Sequence, residues 1–376
     1  MSLNLCRLRE FMKREELDVV LICSPENIYH FSGFWGKNYI QDRDVFYAFH
    51  IVTGKKSALI IPKFEKGMFL LYKPKVDKVL YYGEYPVQDE PKEQVYEDLL
   101  SALDSFIHSE GLGEGRIGLD PLMPWPLVEK VKERFKGSSF FNVGCIFRAV
   151  RAVKTDEEIN RIRKAVEIAE SAFRDMLKEV KAGLTELEVA SLLAKSVAKT
   201  VGADIKFIDL ESGERSAFPS EPSINRLKDG DVVRVDFGVE WKHYCCDISR
   251  VLVVGEPTKE QIAMHRALDE AGKKVIRNMK PGVKACDLYR LGFNHVKERF
   301  PKYRRLLLGH GIGKEIHEVP DLTPWDSTTL QSGMVITSES AWMRYGLGAM
   351  NIEDVVVVTE GEPEVLSTLD RGIYVV

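Results

Sequence analysis

The stretch that most constrains the fold of this chain is the acidic, β-rich segment Asp231–Val254, DVVRVDFGVEWKHYCCDISRVLVV. Two runs rich in β-branched residues flank a short polar break, which is the pattern of a β-hairpin. Each run contains one aspartate, Asp236 in the first and Asp247 in the second. Aspartate is rare inside strands, because an ionised carboxylate in a half-buried sheet needs a partner. The fold must therefore accommodate two acids within one hairpin.

A turn centred on residues 241–242 predicts that Asp236 and Asp247 pair directly across this hairpin, on one face of the sheet. Two facing carboxylates repel each other unless a cation lies between them or their pKa values rise strongly. A structural interpretation is also open, in which one aspartate caps a turn and the other pairs with Arg234 or Arg250. This segment alone does not decide between a metal site and a structural ion pair.

A second acidic hairpin is predicted near the end of the chain, in residues 337–358, TSESAWMRYGLGAMNIEDVVVV. Its turn is expected at Gly346, with Glu339 in one strand and Glu353 in the other. Equal spacing from that glycine places the two glutamates opposite each other across the ladder. The chain thus contains two hairpins of similar design, each with a pair of carboxylates.

His310 lies between the two hairpins in the segment LLLGHGIGKEIHEVPDL, and glycines on both sides allow its ring and backbone to approach a site closely. One imidazole and four carboxylates form a ligand set suited to two divalent first-row cations such as Mn, Co, Fe or Zn. Four negative charges also need compensating positive charge if they share one pocket. The predicted metal ligands are Asp236, Asp247, His310, Glu339 and Glu353.

Composition excludes several other classes of protein. The formal net charge of −4 gives no electrostatic reason to expect a nucleic-acid partner. The six cysteines include no C-x-x-C motif and no regular spacing, which is typical of a reducing, intracellular protein. Charges throughout the first twenty residues argue against a signal peptide, and no apolar run reaches transmembrane length. We expect a soluble cytoplasmic protein without a membrane partner.

Two domains are predicted from the order of the elements. Strands alternate with helices over residues 1–140, which indicates a compact α/β domain; it begins with a helix at 4–17 and includes an aromatic-rich loop at 25–36. Residues 141–153 are the predicted linker. Residues 154–376 combine helices with antiparallel hairpins, an α+β pattern. Capping boxes (Thr155 with Glu158, Thr185 with Glu188) begin two helices before the first hairpin, and helices at 259–279 and 285–300 follow it.

The segments VRVDFG, YCCDISR, GHGIGKEIHE, TSES and NIEDVVVVTEG resemble successive motifs of the pita-bread metallopeptidases, the M24 family of prolidase, aminopeptidase P, methionine aminopeptidase and creatinase. The resemblance covers the chain from about Lys154 to its end. The first half, with LDVVLICSPENIYHFSGF, resembles the smaller domain of prolidases and creatinases. The resemblance implies an α+β fold in which a smaller α/β creatinase-type domain precedes a pita-bread domain of antiparallel sheet and helices.

The resemblance also implies roles for the ligands. Asp236 would hold one metal ion and His310 and Glu339 the other, with Asp247 and Glu353 bridging the two ions. Prolidases, the members most similar to this chain, hydrolyse Xaa-Pro dipeptides by attack of a metal-bridging hydroxide. The resemblance further implies a homodimer in which the N-terminal domain of one subunit closes over the site of its neighbour.

Two residues receive catalytic roles from the same resemblance. Glu339 would transfer the proton of the attacking water to the leaving nitrogen. His317, in KEIHE, matches the family histidine that stabilises the tetrahedral intermediate. The alternative for His317 is a loop histidine that hydrogen-bonds to the backbone.

Three departures from the family pattern lie around this predicted site. The family segment S-A-x-P-H, whose histidine contacts substrate, ends here in Ser220. The usual T-x-E-P-G has Ser340 and Ala341 in its last two positions. The arginine that often precedes I-E-D and helps to bind a substrate carboxylate is Asn351. The metal ligands are thus complete, while the residues expected to face the substrate are altered.

Two classes of function remain open after these departures. The first is a metal-dependent Xaa-Pro dipeptidase, or a relative that hydrolyses another C–N bond as creatinase does. The second is a metal-binding protein with weak or no activity that serves as a binding module. Among the remaining polar residues, His243 is expected in a solvated hairpin turn, and the pair Arg304–Arg305 is interpreted as exposed surface or a dimer contact.

Overall fold

The computed structural model describes residues 2–41 and 45–376 of the chain. The chain divides into two compact units, Met1–Arg151 and Ala152–Val376. Within the described ranges, no helix has the length and apolar character needed to cross a membrane.

The first unit is an α/β domain built on a mixed sheet. The strand order is β5-β4-β3-β2-β1-β6-β7, in which β2 is antiparallel to both of its neighbours and the remaining pairs are parallel. Its elements are α1 Leu3–Arg14, β1 Val19–Ile22, α2 Pro25–Ser32, α3 Asn38–Gln41, β2 Phe49–Thr53, β3 Ser57–Pro62, α4 Lys66–Tyr72, β4 Lys78–Tyr82, β5 Val95–Tyr96, α5 Leu99–Ser109, β6 Arg116–Leu119, α6 Trp125–Arg134, β7 Ser139–Asn142 and α7 Gly144–Ala152.

Alternation along β1 explains why helices cover both faces of this sheet. Val20 and Ile22 belong to one apolar cluster, together with residues of α1 and α2. Val19 and Leu21 belong to another, together with residues of α5 and α6. Because successive side chains of a strand point to opposite faces, a strand that is apolar at every position must be buried on both sides. The α/β class predicted for this part of the chain is confirmed.

The prediction of a loop at residues 25–36 is wrong, because residues 25–32 form helix α2. Pro25 occupies the first turn, where its fixed φ suits a helix and its missing N–H has no cost. Gly33 ends the helix in the left-handed conformation, with φ of 81°. The aromatic residues that indicated a loop are in part the buried face of this helix, as Phe31 shows.

The segment 141–153, predicted as a linker, contains helix α7. Three of its apolar side chains, Ile146, Phe147 and Val150, are buried with the core of the first unit. The domain limits 1–140 and 154–376 remain a prediction.

The second unit is built on an antiparallel sheet with four long helices. The strand order is β12-β11-β13-β14-β10-β9-β8, with β15 paired to β14 and β16 paired in parallel to β10. The elements are α8 Asp156–Leu177, α9 Glu186–Val197, β8 Ala203–Ser212, β9 Val232–Trp241, β10 Tyr244–Val253, α10 Lys259–Arg277, α11 Ala285–Arg299, β11 His310–Gly311, β12 Glu318–Asp321, β13 Val335–Arg344, β14 Gly348–Val357, β15 Glu364–Val365 and β16 Tyr374–Val375. The predicted α+β class is confirmed.

Both predicted capping boxes are present. Thr155 accepts a hydrogen bond from the backbone N–H of Glu158, whose carboxylate accepts one in return from the Thr155 backbone. Thr185 and Glu188 do the same at the start of α9. Each box satisfies two of the backbone N–H groups that a helix start otherwise leaves unpaired, so both helices begin where the sequence predicts.

The register predicted for the first hairpin is wrong. The turn is formed by Lys242 and His243, which both have positive φ (48° and 66°), as in the type I′ turn that matches strand twist. Asp236 consequently lies opposite Ser249, and Asp247 lies opposite Gly238. The turn is one position further along the chain than expected, which moves the pairing by two residues. Because the side-chain period of a strand is two, both aspartates still point to the same face.

The second hairpin has the predicted register. Glu339 pairs directly with Glu353, and the strands meet around Gly346. Gly346 has φ of 77°, a left-handed value that other residues adopt only at a cost.

We predict that Gly346→Ala lowers the free energy of unfolding by about 1 kcal/mol, because alanine is strained at this φ. No atom lies within 4 Å of the Cβ that the substitution adds, so the backbone angle alone sets the cost. Gly361→Ala is the matched control: Gly361 has no positive φ, and its new Cβ meets only Thr359 Oγ1 at 3.9 Å. Urea unfolding should show no loss in the control, and equal losses in the two variants would contradict this account.

Candidate metal centre

Four carboxylates lie in one row across the sheet of the second unit. Asp209 of β8 pairs with Asp236 of β9, which pairs with Ser249 of β10. Ser249 pairs with Glu353 of β14, and Glu353 pairs with Glu339 of β13. Directly paired residues of antiparallel strands project to the same face, so the sheet itself brings these acids together. Asp209 was not among the sequence candidates, since its position became apparent only from the pairing of β8 with β9.

His310 is held with one ring nitrogen directed at this row. Its backbone N–H donates to Thr337 Oγ1 (3.1 Å), and its Nδ1 donates to the carbonyl of Gly311 (3.0 Å). A carbonyl only accepts, so the proton of a neutral ring is on Nδ1 and the Nε2 lone pair is free. Nε2 lies 3.4 Å from Glu353 Oε1 and 3.7 Å from Asp247 Oδ2. This is the tautomer that a metal-ligating histidine needs.

The glycines beside His310 are required by close packing. A Cβ at Gly309 would lie 2.0 Å from the carbonyl oxygen of Thr337, and one at Gly311 would lie 2.3 Å from that of Val319. The short strand β11 therefore fits between its neighbours only because both positions lack side chains. The close approach expected from the G-H-G sequence is present.

The five predicted ligands form two groups that share one member. Ligand atoms of Asp247, His310 and Glu353 lie within 4.8 Å of one another, and so do those of Asp236, Glu339 and Glu353. All five residues are at most 7% exposed. The structure thus groups Glu339 with Asp236, whereas the resemblance assigns Glu339 to the same ion as His310. Glu353 belongs to both groups, as a bridging residue must.

Burial and mutual repulsion dominate the electrostatics of this cluster. Burial raises the pKa of Asp236 and of Asp247 well above the usual range, and the charge of Glu353 raises both further. Burial alone would lower the pKa of His310, but the adjacent carboxylate of Glu353 and the charge of Glu339 raise it to about 9. The carboxylates can therefore all be ionised at neutral pH only if a cation joins them.

The donor set fits divalent metal ions. Asp236 Oδ1 and Asp247 Oδ1 are buried, and neither makes a hydrogen bond with any residue of the described chain. Buried carboxylate oxygens without donors are rare in proteins, because each costs desolvation free energy. Oxygen-rich sites with one imidazole suit first-row divalent cations.

Asn351 connects two of the predicted ligands. Its amide Nδ2 donates to Asp236 Oδ2 (3.1 Å) and to Glu339 Oε1 (3.2 Å), and the residue is fully buried. The position at which this sequence departs from the family arginine is therefore occupied by a neutral donor that orients two carboxylates.

Arg234 supports Asp236 from the other side, but its main partner is Glu211. Nε and Nη2 of Arg234 donate to Glu211 Oε2 at 3.1 and 2.9 Å, while Nη1 lies 3.8 Å from Asp236 Oδ2. Arg250 forms no ion pair with Asp236 or Asp247 in the described part of the chain, because it pairs with Asp354 instead (2.7 Å). A structural ion pair thus does not account for Asp247.

Arg305 is a site residue that sequence reasoning missed. It was interpreted as exposed surface or a dimer contact, yet its Nη2 donates to Glu339 Oε1 at 2.5 Å. Arg305 lies in the loop between α11 and β11, five positions before His310. That proximity in the chain was the only available signal, since no periodic pattern places a loop side chain.

The other predicted substrate-side residues lie at the edge of the centre. The His317 ring lies 4.1 Å from the His310 ring, centroid to centroid, and burial followed by the charge of His310 lowers its pKa. The backbone N–H of Ser220 donates to Glu211 Oε1 (2.6 Å), so Ser220 is linked to the metal centre through Glu211 and Arg234.

Comparisons with known proteins bear directly on this centre. Residues 160–360 match the family model of metallopeptidase family M24, and residues 5–153 match that of the creatinase/prolidase N-terminal domain. The chain is 33% identical to the Xaa-Pro dipeptidase of Pyrococcus furiosus over 379 positions, covering 99% of this chain and 100% of that protein.

The chain belongs to metallopeptidase family M24. The prolidase structure from Pyrococcus horikoshii OT3 has a TM-score of 0.83 to this M24 chain at 29% identity, covering 98% of this chain and 99% of that one. The X-Pro aminopeptidase structure from Thermotoga maritima MSB8 has a TM-score of 0.84 at 27% identity, covering 99% of each chain. This M24 protein is therefore a hydrolase of the metallopeptidase class, similar to Xaa-Pro dipeptidases, with the two-domain pita-bread architecture.

We predict that Arg234→Met lowers the free energy of unfolding by about 3–5 kcal/mol, because it leaves the fully buried Glu211 without its guanidinium. Arg266→Met removes an exposed helix ion pair with Glu270 and serves as control, with an expected change of at most about 0.5 kcal/mol. Both values follow from urea unfolding. A loss below about 1 kcal/mol in Arg234→Met would show that this arginine does not neutralise the buried acids.

We also predict that the stability of chelator-treated protein falls as pH rises above about 4. The pKa values of Asp236 and Asp247 are raised in the folded state, so the native protein binds more protons than the unfolded chain in this range. The stability from this source is complete below the unfolded pKa and is lost as pH rises through the folded values. Divalent cations replace these protons, so the increase in melting temperature on adding Mn²⁺ should grow with pH.

The double variant Asp236→Asn/Asp247→Asn is the control for this pH dependence. It keeps the side-chain shape and removes both titrating groups, so its stability should change less with pH. A metal-induced shift that is independent of pH in the parent protein would contradict the assignment of these carboxylates to the metal centre.

Proposed function

We propose that this M24 metallopeptidase hydrolyses Xaa-Pro dipeptides with two divalent ions held by Asp236, Asp247, His310, Glu339 and Glu353. The observation that carries the proposal is the pair of buried ligand groups that meet at Glu353. The Xaa-Pro dipeptidase that is 33% identical over the whole chain supports the substrate class. Mn, Co, Zn and Fe are the candidate metals, because each accepts carboxylate together with imidazole ligands.

When bound, a pair of divalent cations supplies Lewis acidity and makes a water molecule acidic enough to act as a nucleophile near neutral pH. The protein contributes fixed ligands and proton transfer. Arg305 and Asn351 both donate to Glu339 Oε1, which fixes the orientation of this carboxylate. Glu339 takes the proton of the attacking water and transfers it to the proline nitrogen as the bond breaks.

His317 stabilises the charge that develops on the carbonyl oxygen. Its ring lies beside His310 at the exposed edge of the centre, where a substrate can reach it. Burial lowers the pKa of His317, so this ring acts as a neutral N–H donor.

The remaining parts of the proposal concern location and assembly. All six cysteines are free, as expected for a protein of the reducing cytoplasm. We propose a cytoplasmic location from the cysteine pattern and composition, and a homodimer that acts on small peptides from the family resemblance.

A second candidate function is a metal-binding module with weak activity, or hydrolysis of another C–N bond. Ser220 is the observation in its favour, because this residue cannot supply the imidazole that the family motif places beside the substrate. Its hydroxyl instead accepts a hydrogen bond from Arg215 Nη2 at 3.2 Å.

Hydrolysis of an Xaa-Pro dipeptide panel by metal-stripped protein, before and after addition of Mn, Co or Zn, tests the proposal. We expect activity only after metal addition, and a loss of about 10²- to 10⁴-fold in kcat for Glu339→Gln. Glu360→Gln, at an exposed position, is the matched control and should retain activity. Ser220→His is assayed in parallel.

Each outcome of this assay has a defined meaning. Metal-restored cleavage by the unmodified protein supports the dipeptidase function. Cleavage only by Ser220→His means that the scaffold is intact but serves a different substrate. Metal binding without cleavage by either protein would contradict the proposal and favour the binding module.

A further inference from the structure

Arg305 is held rigidly against the metal centre by the loop that carries it. Its Nε donates to the carbonyl of Leu307 (2.9 Å), and its own carbonyl accepts from the Tyr289 hydroxyl (2.6 Å). Two residues earlier, the buried Tyr303 donates its hydroxyl to the carbonyl of Ala341 in β13 (3.0 Å). The guanidinium is thus placed before any substrate arrives, which reduces the entropy cost of using it for binding.

The Arg305 guanidinium makes fewer strong hydrogen bonds than its N–H groups allow. Nη2 donates to Glu339, whereas the only hydrogen-bond partner of Nη1 among the described residues is the thioether sulfur of Met343, at 3.5 Å. Sulfur is a weak acceptor, so a charged donor is incompletely satisfied. The side chain is 19% exposed, and a solute can therefore reach it.

Arg305 differs in this respect from the other arginine beside the centre. Arg234 is only 2% exposed, and its donors are directed to Glu211 and Asp209. In the described part of the chain, these two arginines supply the ion pairs between lysine or arginine side chains and the five predicted ligands. Arg305 is the one that solvent reaches appreciably.

The position of Arg305 also matches the shape of an Xaa-Pro dipeptide. Glu339, which Arg305 contacts, is the residue that transfers a proton to the proline nitrogen in the proposed function. A single carbon separates that nitrogen from the C-terminal carboxylate of the substrate. A guanidinium that contacts Glu339 is therefore close to the position that the substrate carboxylate would occupy. Guanidinium groups bind carboxylates with two parallel hydrogen bonds.

We propose that Arg305 binds the C-terminal carboxylate of the substrate and so selects free dipeptides over peptides whose carboxyl group is blocked or extended. This inference rests on the proposed function. Arg305, in the loop between α11 and β11, provides the positive charge that Asn351 of β14 cannot provide.

Kinetics with Leu-Pro and with Leu-Pro amide test this assignment. Arg305→Gln should lower kcat/KM for Leu-Pro by about 10- to 100-fold, mainly through KM, because a charge-assisted hydrogen bond is lost. The same variant should lower kcat/KM for the amide by a clearly smaller factor, because loss of the contact with Glu339 affects both substrates, whereas loss of the carboxylate contact affects only the acid. The kcat/KM of Arg305→Lys for Leu-Pro should lie between the values of the parent protein and of Arg305→Gln, since lysine keeps the positive charge but cannot make two parallel hydrogen bonds. Arg304→Gln removes the exposed neighbouring arginine and should behave like the parent protein.

Equal losses for the acid and the amide would overturn the proposal, because they would mean that Arg305 acts only by orienting Glu339. Unchanged kinetics with the acid would also overturn it.

Ligand protection from thermal unfolding provides a readout that does not need turnover. In Mn-loaded parent protein, proline should raise the melting temperature more than prolinamide does, and Arg305→Gln and Arg305→Lys should reduce that difference. Absence of Leu-Pro cleavage by the parent protein would contradict the proposed function. A preference for proline that persists in both Arg305 variants would contradict the role of Arg305.

Discussion

The main physical constraint on the second unit is the repulsion among buried carboxylates that its own sheet brings together. Cross-strand pairing places Asp209, Asp236, Glu353 and Glu339 in one row, and strand alternation adds Asp247 to the same face. In a buried environment these groups cannot all be ionised without a cation. Raised pKa values and buried oxygens without donors are the two consequences in the metal-free protein. Divalent ions would neutralise the carboxylates and would also bind the oxygens that lack hydrogen-bond donors. The structure therefore supports metal binding independently of the family match.

Short-range patterns in the sequence were sufficient for much of this arrangement. A glycine with an obligatory turn conformation set the register of the second hairpin, and Glu339 and Glu353 pair as predicted. The first hairpin lacks such a glycine. Its turn uses Lys242 and His243 at positive φ, residues that give no clear signal, so the predicted register was wrong by two residues. Because the register error is an even number of residues, both aspartates are still on one face of the sheet, and the predicted ligand set did not depend on the error.

Contacts between distant segments were beyond what the sequence could predict. Arg305 reaches Glu339 from a loop, and Asp209 joins the row through a strand whose pairing partner cannot be deduced from its own pattern. Helix α2 was missed for a different reason, because its aromatic composition obscured a Pro start and a Gly end. Periodicity and turn chemistry thus account for the elements, while the charged surroundings of the centre arise from tertiary packing.

The residues around the predicted ligands are Ser220, Asn351 and Arg305, and each contacts the centre in a different way. Ser220 is linked to Asp236 through Glu211 and the buried Arg234, so changes at Ser220 can affect a predicted metal ligand. Asn351 supplies no charge but orients two carboxylates. Positive charge comes from Arg305 in a loop. We infer that specificity can change in this scaffold while the predicted metal ligands stay the same.

Anomalous diffraction from crystals of Mn-loaded protein would test the central claim most directly. The account predicts two anomalous peaks in the second unit, both in contact with Glu353, with ligand distances of about 2.0–2.2 Å typical of first-row cations bound by carboxylate and imidazole. The same map would show whether Glu339 shares an ion with Asp236 or with His310. Full Mn loading with no anomalous peak at Glu353 would contradict the account.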